Sequence, residues 1–134
     1  MGGANALAYT YANPQLVAAV LLFGPVADLQ DIVTNNRGGL ASRCNGAYTG
    51  GYSNATYGAN HNPVLFASQI TVPVQLWTSE DDNTCVPSTS SALAAALPNV
   101  DWHHGHWGDH GADTNYSNVD IPTMLNFLDA HRPA

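Results

Sequence analysis

Lysine is absent from this chain, and basic residues of any kind are few. The 134 residues carry only Arg37, Arg43 and Arg132 against ten Asp and Glu, a formal net charge of −7. Such a chain repels phosphate backbones and anionic lipid, which argues against nucleic acid and acidic membrane surfaces as partners. Long apolar runs are missing as well. The longest, Leu16 to Phe23, is far short of the roughly 20 residues that a membrane-spanning helix requires. No basic and then apolar leader opens the sequence, so localisation is weakly constrained; export or a virion-type assembly is expected rather than the cytoplasm. Only two cysteines are present, Cys44 and Cys85, and they make either one disulfide or two small buried thiols. Charge is scarce at 10% while hydrophobic residues reach 45%, which fits one folded globular domain and not a disordered chain.

The pattern that remains alternates helix and strand, the arrangement of a mostly parallel sheet with helices on both faces. Residues 3 to 12 read as a helix that Asn13-Pro14 breaks. Leu16 to Phe23 is apolar at every position, as in a strand buried on both faces, and Gly24-Pro25 ends it. From 27 to 66 Gly, Asn, Tyr and Ser dominate without a sustained apolar period, so this stretch reads as a long insertion outside the sheet; loops of that length usually serve a site. Val72 to Trp77 reads as a second strand. Ser88 is expected to cap a helix running to Leu97, Val100 to His104 reads as a third strand, and a last helix begins near Asp120. Pro122 falls in its first turn, with Met124, Leu125, Phe127 and Leu128 available for packing. The chain thus divides into 1–26, 27–66 and 67–134.

Three motifs occur in a telling order. Met1-Gly2-Gly3-Ala4 resembles the second half of a Gly-x-Ser-x-Gly nucleophile elbow, in which small residues let a sharp strand-to-helix turn form. Ser79-Glu80-Asp81-Asp82 followed by Val86-Pro87 resembles a loop that carries a catalytic acid, with Ser79 in place of the usual glycine. Trp107-Gly108-Asp109-His110-Gly111 resembles a Gly-x-His-Gly turn. Together they are similar to the C-terminal half of an α/β-hydrolase fold, whose triad runs Ser, then acid, then His.

That resemblance implies Asp82 as the acid and His110 as the base, with Asp81 and His106 as their neighbouring rivals. It further implies that the Met1 amide would contribute to the oxyanion hole, and that 27–66 is a lid whose Tyr48, Tyr52 and Tyr57 could meet a small acyl substrate. The nucleophile is expected on a segment or partner chain outside this sequence. Within it, Gly51-Tyr52-Ser53-Asn54-Ala55 is a loose elbow match with no apolar strand before it. The expected partner is an N-terminal hydrolase half, or another chain, covering the edge of strand 16–23, since an open apolar edge invites aggregation. No cofactor is implied. The alternatives are a catalytically inactive hydrolase-fold subunit of an assembly and a His-rich metal-binding module. In the latter, His104 and His106 share one strand face and join His110 with Asp109 or Asp113.

Overall fold

The computed structural model describes residues 2–111 and 120–133; Met1 and Asp113 therefore lie outside the described residues. Helix α1 spans Gly2–Ala12 and buries Ala4, Leu7 and Thr10 along one face, the spacing of an amphipathic helix on a sheet. Its start is held very close to the chain leaving the first strand. A Cβ on Gly3 would come within 2.6 Å of Pro25 Cβ, so only glycine fits there.

Strand β1 is Val20–Phe23, shorter than the apolar run that suggested Leu16 to Phe23. Pro14–Leu16 instead forms a 3₁₀ turn in which the Leu16 and Val17 amides bond back to the Asn13 and Pro14 carbonyls. Proline at the first position fixes φ for that turn, and Leu16 is left 67% exposed. Strand β2 (Val74–Ser79) and strand β3 (Val100–Gly105) complete the sheet of the described residues, in the order β1-β2-β3 and parallel throughout. All six residues of β2 are buried, as a central strand covered on both faces requires. One face packs Leu22, Val74 and Leu76 against Leu7, Phe66, Leu93 and Leu97. On the other, buried Gln75 donates to Asp101 (2.7 Å) and accepts from the Trp77 indole (3.0 Å), while Trp77 stacks on His103 at 4.1 Å.

The 27–66 stretch is helical, not irregular. It contains helices α2 (Leu29–Asn35), α3 (Ala41–Gly46), α4 (Ala59–His61) and α5 (Pro63–Phe66), with a π-turn at Asn54–Gly58. These helices are too short for an apolar period to show in sequence. Side-chain hydrogen bonds join them. Asp28 caps α2 through the Gln30 and Asp31 amides, and buried Asn62 accepts from the Leu29 amide while donating to Asp28 and Asn54. Asn36 ends α2 in the left-handed region (φ 48°), a conformation that asparagine tolerates. A second core unites this segment with the rest: Ala4, Val26, Leu29, Ile32, Cys44, Tyr52 and Cys85. Cys44 and Cys85 are both buried as thiols with no disulfide joining them.

Helix α6 covers Pro87–Ala96. Pro87 takes its first position after Val86, so Ser88 lies inside the helix and is not its cap. Helix α7 (Ile121–Ala130) starts where expected, with Asp120 capping the Thr123 amide. Its apolar residues are less covered than the sequence suggested: Leu125 is 55% and Leu128 43% exposed, beside Ile121.

Candidate functional site

The parallel pairing of β2 and β3 sets the site. Ser79 is in register with Gly105, and the Glu80 amide bonds to the Gly105 carbonyl (2.9 Å). The two loops that leave these strands therefore start side by side at the carboxyl end of the sheet, where open α/β sheets place their ligands. Asp82 lies on the first loop and His110 on the second, and their side chains meet: His110 Nδ1 is 2.9 Å from Asp82 Oδ2. The carboxylate is fixed from behind, because Oδ1 accepts the amides of Thr84 (2.8 Å) and Cys85 (2.7 Å). Only Oδ2 points at the imidazole. The Asp82 side chain is 1% exposed and that of His110 is 40% exposed, so a shielded carboxylate orients an imidazole that solvent can reach.

The rivals named from sequence form a second pair of their own. His106 Nδ1 is 3.0 Å from Asp81 Oδ1, and Asp81 Oδ2 also accepts the Gly108 amide. Both groups are exposed. The hydrogen bond with Asp81 raises His106 above the usual imidazole value, and the bond from His106 holds Asp81 below the usual carboxylate value. Asp81 thus braces the histidine loop, while Asp82 orients His110.

Two further braces escaped the sequence reading. Ser79, where the motif has glycine, donates its hydroxyl to the Gly108 carbonyl (2.7 Å) and accepts the amides of Asp81 and Trp107. It ties the two loops together across β2 and β3. Asp109 accepts the amides of Asn83 (2.9 Å) and His110 (2.7 Å), and these two donors keep its carboxyl below the usual range. An Asp directly before a turn histidine was the available signal.

The other candidates have partners of their own. Ser53 caps the π-turn, with its hydroxyl engaged by Thr56. Tyr48, Tyr52 and Tyr57 pack on one another and on His61. Tyr52 is buried with its hydroxyl bonded to Asn54, and burial raises its phenol; the Tyr57 hydroxyl donates to the Thr49 carbonyl. The histidine set expected for a metal is divided: His104 faces Glu80, His106 faces Asp81 and Glu80, and His110 faces Asp82. The metal-compatible group that does come together among the described residues is Asp82, Cys85 and His110.

The 27–66 segment reaches this site. Gly38, at φ +54°, sits so close to the acid loop that a Cβ there would lie 2.8 Å from the Thr84 hydroxyl, and Cys85 shares the second core with Tyr52 and Ile32.

No family model matches the chain, and no curated protein does. Solved structures do. An α/β hydrolase enzyme from the metagenome of lagoon sediments at Mar Chica, Morocco, superposes with a TM-score of 0.65 at 20% identity, over 96% of this chain and 57% of that one. The α/β hydrolase domain-containing protein 10 from mouse gives 0.64 at 22%, over 96% and 58%. A serine hydrolase involved in carbazole degradation gives 0.64 at 15%, over 96% and 60%. The chain therefore has an α/β-hydrolase fold, and it spans under two thirds of the length of these structures, as a part of such a domain does.

Proposed function

We propose that this chain supplies the acid and the base of a serine hydrolase acting on carboxylic esters or related acyl bonds, Asp82 and His110, and that the nucleophilic serine stands on polypeptide outside this sequence. The observation that carries the proposal is the 2.9 Å contact between His110 Nδ1 and a buried Asp82 whose other oxygen is fixed by two amides. A carboxylate can only accept at that contact, so Nδ1 donates and Nε2 keeps its lone pair. Nε2 is then the atom that takes the serine proton as the acyl bond is attacked and returns it to the leaving group, while Asp82 stabilises the imidazolium. The 27–66 segment would act as a lid over the site, and the close approach of Gly38 to Thr84 supports the lid.

The same proposal accounts for the open surface. Among the described residues β1 pairs only with β2, and Tyr9, Leu16, Leu125 and Leu128 are apolar and exposed. An N-terminal hydrolase half, or another chain, would cover the edge of β1. A structural subunit without activity would present the same surface, and the two are separated by chemistry. A fluorophosphonate probe applied to the assembly from its native source should label the serine-bearing polypeptide, and Asp82→Ala or His110→Ala should abolish labelling. An assembly that takes up no probe would leave the inactive subunit.

A further inference from the structure

Cys85 has no part in the proton chemistry described above, yet its sulfur lies beside it. The ligand atoms of Asp82, Cys85 and His110 all lie within 4.8 Å of one another. A thiol, an imidazole and a carboxylate are the donor types that bind zinc-class ions, at about 2.0 Å to nitrogen or oxygen and about 2.3 Å to sulfur. Those bond lengths bring ligand atoms to within roughly 3.5 Å of one another, and modest side-chain movements, of the His110 ring among them, close the set. That ring is the exposed member, whereas the Asp82 and Cys85 side chains are held in the buried wall. The backbone holds the set in place: the Cys85 amide donates to Asp82 Oδ1, which leaves Oδ2 facing the histidine.

We infer that Asp82, Cys85 and His110 form a three-ligand site for a thiophilic divalent cation of the zinc class, with a fourth position open to water on the side of His110. The thiol loses its proton to solvent on binding, since the thiolate is the ligand. An ion held by these atoms replaces the His110–Asp82 hydrogen bond, so occupation and acid-base work exclude each other. The site uses residues of the proposed triad but does not depend on their catalytic role, because metal binding is read without any ester being hydrolysed.

The test is titration of the full chain with Co²⁺, as a spectroscopic stand-in for Zn²⁺, under a non-thiol reductant that keeps both cysteines reduced. One Co²⁺ per chain with a thiolate-to-cobalt charge-transfer band in the near ultraviolet is expected, with Zn²⁺ displacing it. Cys85→Ser should remove the band, His110→Ala should weaken binding at least tenfold, and the His104→Ala, His106→Ala double variant should keep the band. A wild-type chain that shows no thiolate band, or a band that survives Cys85→Ser, overturns the site. Either result leaves the fluorophosphonate test of the hydrolase untouched.

Discussion

Asp82 and Asp81 are adjacent in sequence, yet their surroundings assign them different work. Asp82 is buried, accepts two amides on one oxygen and presents the other to His110; Asp81 is exposed and holds His106 and the Gly108 amide. Asp81→Asn should therefore lower the titration midpoint of His106, followed by NMR of the ring protons. The sign of the pair's contribution to stability follows from the two shifts. His106 is raised, so its share is complete below the ordinary imidazole value of about 6.5 and is lost as pH rises through its folded value. Asp81 is lowered, so its share is complete above about 3.9 and is lost as pH falls through its folded value. The brace is intact in mildly acidic solution and weakens on either side. Asn62 is the other residue with much at stake. It is fully buried and makes three hydrogen bonds, so Asn62→Ala should cost about 1–3 kcal/mol by leaving the Leu29 amide without its acceptor. A fall in the urea midpoint at unchanged slope would register it.

At the scale of elements, Ser79 joins the acid loop to the histidine loop. Ser79→Ala removes three hydrogen bonds, two of them to the histidine loop, and should increase amide exchange over residues 105–111 while α1 and α6 keep their protection. Elements with strong local signals were legible in the sequence: α1 between its glycines and Asn13-Pro14, β2 as a largely apolar run, β3 from Val100 and Trp102 after the Pro98-Asn99 break, and α7 from Asp120 and Pro122. The misreadings have physical causes. Leu16 to Phe23 is uniformly apolar, and nothing in that composition separates a 3₁₀ turn at Pro14–Leu16 from a strand at Val20–Phe23; hydrogen bonding decides it. The 27–66 segment hid its helices because they are too short to show a period, and they are joined by long-range contacts such as Asn62 with Asp28 and with the Leu29 amide. The pairing of Asp82 with His110, and of Asp81 with His106, likewise depends on the register between β2 and β3.

At the scale of the whole molecule, β1 pairs only with β2 among the described residues, and α7 leaves Ile121, Leu125 and Leu128 exposed. A chain that leaves Leu16, Leu125 and Leu128 exposed should self-associate when isolated, because large apolar surface and open strand edges drive association. Light scattering on the isolated chain should show oligomers, and adding a polypeptide that completes the hydrolase domain should replace them with a defined complex. Replacing both Leu125 and Leu128 by lysine should reduce the oligomers of the isolated chain while leaving the helical circular-dichroism signal in place.

Asp82 and His110, and not their neighbours, are the residues proposed to move the proton in a complete hydrolase domain. Turnover of a p-nitrophenyl ester by the complex, measured for Asp82→Asn and Asp81→Asn side by side, tests the assignment most directly. An amide at position 82 would favour the wrong imidazole tautomer, so Asp82→Asn should lower kcat by about 10⁴-fold, while Asp81→Asn should lower it by less than about tenfold. Equal losses in the two variants, or full turnover in Asp82→Asn, would contradict the assignment.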